Sequence, residues 1–136
     1  MKKVIILLVL FASGCPTTDI VSTIQIRNNS NQSISTFIAL PSEVGFAYPD
    51  TTLPVNEISM QSADFGGQNF YDLPRSLEEE LNTMPTDTLS IYYFSTDTLD
   101  KYSWEEIRDG NRILRRDDLV VPASAIQNNF WLIEYP

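Results

Sequence analysis

Histidine is absent from the 136 residues, and cysteine occurs once. The first absence removes Ser-His and Cys-His catalytic pairs and every His-ligated metal site. The second rules out an internal disulfide, so the fold must be stable from its core alone. Bases are scarce as well. Nine Lys and Arg stand against 18 Asp and Glu, a formal charge of −9. Nucleic acid is thereby excluded as a partner, because binding it needs clustered bases to neutralise phosphates. Glycine is sparse, with five residues, and the Gly66-Gly67 pair lacks the flanking pattern and the Lys of a phosphate loop. What is present is a 43% hydrophobic share, enough to build one globular core at this length.

The first residues give an address. Lys2 and Lys3 precede a continuous apolar run over residues 4–12. That run is too short to span a bilayer as a stable helix and reads as a secretory signal over residues 1–14. Ala12-Ser13-Gly14-Cys15 resembles a bacterial lipobox, with Ala12 where leucine is usual. The resemblance implies cleavage before Cys15 and attachment of a diacylglyceryl group, palmitate included, to its sulfur. Several acyl chains on one residue anchor durably, so a membrane partner is expected through Cys15. The expected location is the cell envelope, at the outer membrane, with the periplasmic or surface face left open. Removing residues 1–14 takes Lys2 and Lys3 away, so −9 becomes −11.

Residues 15–19 read as the acylated cysteine and a tether, and residues 20–136 as a single domain. Ile20, Ile24 and Ile26 alternate with polar residues, as do Ile34, Thr36, Ile38 and Leu40. Two such runs around a polar break predict a hairpin. Residues 41–70 hold Pro41, Pro49, Pro54, Gly45, Gly66 and Gly67 and predict loops, with one short strand near 57–61. A helix is expected over 74–84. There Ser76 and Glu79 form a capping box, Leu77, Leu81 and Met84 share a face, and Pro85 stops the helix. Glu78, Glu79 and Glu80 read as its solvated start. Residues 88–95 predict a central strand covered on both faces. Ser103 and Glu106 form a second capping box, and Gly110 ends that segment. Residues 111–121 predict strand with a self-neutralising Arg115-Arg116-Asp117-Asp118 strip, residues 122–128 one helical turn, and 130–135 a closing strand. The fold class is α+β, a mainly antiparallel sheet with two or three short helices. A β-sandwich with helical inserts is the alternative.

Several stretches together resemble a group of small lipoproteins from Bacteroides and related gut bacteria. They are Ile26-x-Asn28-Asn29-Ser30, Tyr48-Pro49-Asp50-Thr51, Asp87-Thr88-Leu89-Ser90 and the run from Asp97-Thr98-Leu99 to Ile107. Ile113-Leu114-Arg115-Arg116 and the terminal Tyr135-Pro136 continue the similarity. The resemblance implies location and source and transfers no catalytic residue. It also raises O-glycosylation, which bacteria of that phylum place at Asp-Ser/Thr followed by a small aliphatic residue or Thr. Thr51, Thr88 and Thr98 fit. The structural alternative is that these Asp-Thr pairs cap exposed backbone N–H groups.

For chemistry, the chain offers carboxylates, Tyr, Lys and Ser. A hydrolase would need two carboxylates facing across a cleft, and 18 acids make chance pairs easy. Asp97-Thr98-Leu99-Asp100 lacks the spacing of a calcium loop and reads as a helix start. No cofactor or metal is expected. Binding is more open, because aromatics make up 11% of the chain. Trp131 and Tyr93 are expected in the core, whereas Phe46 and Tyr48 and their loop are the candidate binding surface. The leading expectation is a non-enzymatic, envelope-anchored lipoprotein that binds or assembles. The alternatives are a glycan-binding accessory lipoprotein with an envelope glycan or protein partner, a carboxylate-based hydrolase, and a purely structural envelope protein. Metabolic labelling with a palmitate analogue is expected to tag the protein, and Cys15→Ala to abolish the tag. Label that survives the substitution would refute the anchor.

Overall fold

The computed structural model describes residues 22–136. The expected signal, Cys15 and the tether lie outside the described residues, as do Ile20 and Val21. In chain order the elements are β1 (Ser22–Asn28), β2 (Ile34–Ala39), α1 (Pro41–Val44), β3 (Gln61–Ala63) and β4 (Gln68–Leu73). Then follow α2 (Leu77–Thr83), β5 (Thr88–Ser95), α3 (Thr96–Lys101) and α4 (Trp104–Asp109). The chain closes with β6 (Arg115–Val120), α5 (Ala123–Asn128) and β7 (Phe130–Tyr135). The fold is α+β, with two mostly antiparallel sheets, five short helices and no closed barrel among the described residues. One sheet has the order β4-β1-β7 and the other β3-β2-β5-β6. The pairing of β1 with β7 is parallel; the others are antiparallel.

Strand alternation builds three layers. Ile24 and Ile26 of β1, with Ile133 and Tyr135 of β7, pack against Ile34 and Ile38 of β2 and Leu89, Ile91 and Tyr93 of β5. That is the core between the sheets. Phe37, Ala39, Tyr92 and Phe94 point to the opposite face of the second sheet. There they meet Leu53, Ile107 and the half-buried Phe46, Ile58, Met60 and Trp104. β2 is therefore buried along its whole length, and β5 over all but its terminal residues. The central position expected for residues 88–95 is the one β5 holds.

Both capping boxes form. Ser76 Oγ accepts the Glu79 N–H and the Glu79 carboxylate accepts the Ser76 N–H; Ser103 and Glu106 do the same. Each cap satisfies two orphan donors at a helix start. On β6, Arg115 pairs with Asp117 at 2.5 Å and Arg116 with Asp118 at 3.0 Å. Residues two apart on a strand share a face, so the charged strip neutralises itself.

The predicted hairpin does not form. β1 and β2 lie in different sheets, because both edges of β1 are taken by β4 and β7. The chain leaves β1 at Asn28, which is fully buried. Its Nδ2 donates to the carbonyls of Gln32, Ala63 and Asp64 at 2.8, 3.0 and 3.2 Å. Its Oδ1 accepts from Ser30 N and Ser30 Oγ at 3.0 and 2.7 Å. Its backbone N–H donates to Gly67 O and its carbonyl accepts from Gly66 N, both at 2.9 Å. One side chain thus turns the chain between sheets and holds the turn joining β3 to β4. Gly66 has φ +72, and a Cβ on Gly67 would meet Asp64 O at 2.9 Å, so that turn requires both glycines. The short strand expected near 57–61 begins instead at Gln61, and the proline-rich stretch also holds α1.

Asn28→Ala is expected to cost about 3 kcal/mol, from buried groups left without partners. The exposed neighbour change Asn29→Ala should stay within about 0.5 kcal/mol. Urea denaturation measures both, and an Asn28→Ala loss no larger than that of Asn29→Ala would refute the assignment.

Candidate functional site: an acidic cleft at the edge of β2

β3 is half as long as β2. It pairs with Ile34, Ser35 and Thr36 and ends there. Beyond it, Phe37 and Ile38 of β2, both almost fully buried, line a cleft of about 550 Å³. Glu43 and Val44 of α1 line it as well, with Pro54, Glu57 and Ser59 of the following loop. Tyr71 and Gln61 close the end where β3 stops. No backbone hydrogen bond among the described residues joins residues 54–60 to this stretch of β2. That loop is held outward instead. Trp104 Nε1 donates to Pro54 O at 3.0 Å, and Ile58 and Met60 pack into the outer layer.

The cleft is lined by two acids, Glu43 and Glu57, and by no base. Burial pushes the Glu43 carboxyl above its ordinary value, and the charge of Glu80 pushes it further. Glu80 is itself fully buried on α2. Ser42 Oγ donates to its Oε2 at 2.7 Å, and its Oε1 has no partner among the described residues. Its place corrects the reading of Glu78–Glu80 as a uniformly solvated start. Glu78 and Glu79 are exposed, but Glu80 stands three residues after Leu77 and four before Met84, on the apolar face. That spacing was the available signal, hidden by the run of identical residues. Tyr71 donates to Thr36 O at 2.5 Å and lies 2.6 Å from Thr36 Oγ1. Burial pushes its hydroxyl up to about 12, against the lowering effect of the Thr36 hydrogen bond. At neutral pH it stays protonated and can only position, not abstract a proton. Among the described residues no group of three or more His, Cys, Asp or Glu is placed to hold a metal ion.

The candidate surface from the sequence sits near the cleft but differs in character. Phe46 is half-buried in the outer layer, 5.9 Å from Phe37 at 53° and 6.4 Å from Tyr92 at 73°. Tyr48 is half-buried too. Neither forms the exposed coplanar pair that a sugar-stacking platform needs. Tyr93 is buried against Tyr135 at 4.6 Å, and Trp131 is half-buried against the core.

The three Asp-Thr sites have separate surroundings. Asp50 Oδ1 accepts the Thr52 N–H at 3.0 Å, the capping role, and Thr51 lies half-buried between them. Thr88 opens β5 opposite Val120, and Thr98 lies within α3. Thr51 alone of the three is in irregular chain. None of them lines the cleft.

Comparison with known protein families, curated proteins and solved structures finds no match to this chain.

A carboxyl held above its ordinary value binds its proton more tightly in the folded state. Its unfavourable contribution is complete above the raised value and vanishes below the unfolded one. Glu43→Gln is therefore expected to stabilise the protein at pH 7, by less than about 1 kcal/mol because the group is largely exposed. The gain should disappear at pH 3. Chemical denaturation at the two pH values checks this, and an equal gain at both would contradict it.

Proposed function

We propose that this chain is a lipid-anchored binding module of a bacterial cell envelope, and that the acidic cleft beside β2 is where it binds. The anchor reading rests on Ala12-Ser13-Gly14-Cys15 after a charged and apolar leader. The resemblance to small lipoproteins of Bacteroides and related gut bacteria points the same way. The binding reading rests above all on the cleft, whose volume of about 550 Å³ falls within the range that ligand sites occupy. Two observations make binding fit better than catalysis. The two acids that line the cleft are both exposed, while the buried carboxylate, Glu80, is tied to Ser42 and does not line it. A carboxylate hydrolase needs a pair facing across the reacting bond, with one member buried enough to hold its proton. The tyrosine in the cleft is already engaged with Thr36.

An acidic module with a small cleft suits a partner brought to it in the same envelope. Charge steers the encounter, and the lipid holds the domain where the partner is. The test is affinity capture of the tagged lipoprotein from its own host, beside the variant Ser59→Trp. Ser59 is exposed on the cleft wall, so the indole blocks the cleft without touching the core. The expected result is a partner recovered with the native protein and lost with the variant. Equal recovery by both would refute the cleft as the binding site.

A further inference from the structure

We infer that the outward face of the β4-β1-β7 sheet rests on the surface of the lipid layer that holds Cys15. The inference rests on the anchor reading above and adds the orientation of the domain. Ile24 and Ile26 of β1 point into the core, so Thr23, Gln25 and Arg27 point out. Register sets their neighbours. Phe130 lies beside Thr23, and Phe70 and Leu132 flank Gln25 from the two edge strands. The polar group between them is engaged within the face, because Gln25 Nε2 donates to Gln68 Oε1. Nothing among the described residues closes over the apolar three: Phe70 is 52% exposed, Phe130 43% and Leu132 38%. Large apolar side chains exposed singly are ordinary, but three grouped on one sheet face mark a contact surface.

The length of the tether says what that surface meets. Only residues 16–21 separate Cys15 from Ser22, where β1 begins. Fully extended, those steps reach at most about 25 Å. The start of β1 therefore stays closer to the lipid than the roughly 35 Å width of a domain this size. Phe130 stands beside Thr23, one residue from where the tether joins, so the apolar group is among the first surfaces the lipid can touch. Charge permits the approach. Removal of residues 1–14 leaves the chain at −11, yet the charges on this face are Arg27, Glu134 and Asp72 alone. Arg27 and Glu134 pair at 3.4 Å, and Asp72 accepts the Thr23 hydroxyl at 2.8 Å. The acids of α2, of α4 and of the cleft lie off this face. A nearly neutral apolar face can settle at the headgroup boundary without strong repulsion from an anionic surface. Three side chains hold a free domain on lipid only weakly, and the tether makes the contact intramolecular. No residue of the face lines the cleft, so docking leaves the cleft open to its partner.

The test uses the full mature lipoprotein, placed one copy to each phosphatidylcholine nanodisc so that no second copy can cover the face. A fluorophore is attached through Asp72→Cys, on the face, or through Glu105→Cys, exposed on α4, whose Ile107 packs on the far side of the second sheet. Lipid carrying a nitroxide headgroup is the quencher. The label at position 72 is expected to be quenched at least about threefold more than the label at position 105. Phe70→Ser, Phe130→Ser and Leu132→Ser together should bring the two labels to equal quenching. Equal quenching without those substitutions would overturn the orientation, and so would a difference that survives them. The contrast between the two labels on the native face decides the matter even if the triple variant fails to fold. A protein that does not enter the nanodisc at all refutes the anchor reading. One that enters with both labels equally quenched refutes this proposal alone.

Discussion

A strand at the centre of a sheet loses water along its length, so each of its polar groups must find a protein partner. In this domain that demand falls on β1, and it is met at both ends by single side chains. At the start, Ser22 Oγ donates to Asn129 Oδ1 at 3.1 Å and accepts the Leu77 N–H at 2.6 Å. It thereby ties β1 to the first turn of α2 and to the residue that ends α5. At the far end, Asn28 fixes the crossing to β2 and the turn between β3 and β4. Asn28 thus anchors the Ala63 end of β3. The cleft lies beyond the other end, past the pairing of Gln61 with Thr36.

The domain treats its strand edges unequally. β6, at the edge of its sheet, carries the Arg115–Asp117 and Arg116–Asp118 pairs on its faces, charges that discourage edge-to-edge association. β3 is only three residues long, and Gln61 Nε2 covers the Phe70 carbonyl of β4 at 2.9 Å. Phe37 to Ala39 carries no charged side chain and is almost fully buried. Its protection is steric, since α1 and residues 54–59 stand over it as walls.

How much of this was legible in the sequence depended on whether the signal was local. Both capping boxes, the aromatic run of β5 and the alternation of β7 are local patterns, and each became the expected element. The charged strip of β6 was legible for the same reason. Sheet membership is not local. Alternation in β1 and β2 sets which residues face inward, but it carries nothing about which strand lies beside which. The five-residue break between them looked like a hairpin turn, when Asn28 uses it to change sheets. The cleft was illegible for a related reason. It is made by a strand that stops early and a loop held aside, and neither has a composition of its own. Residues 46–54 drew attention through their aromatics, yet Phe46 serves the outer layer. Glu43 and Glu57 looked like any surface acids, and only the ending of β3 at Gln61 brings them to one opening.

The parallel pairing of β1 with β7 has a consequence in time. β1 is the first strand of the described chain and β7 the last, with Thr23 beside Phe130 and Asn28 beside Tyr135. Closing that pair spans nearly the whole domain, the kind of long-range contact that forms slowly. A chain still being synthesised has β1 and β4 but not the strand that completes their sheet. Ile133 and Tyr135, which seal the core between the sheets, arrive at the very end. Until those residues are present, β1 lacks its parallel neighbour and the core between the sheets lacks that seal.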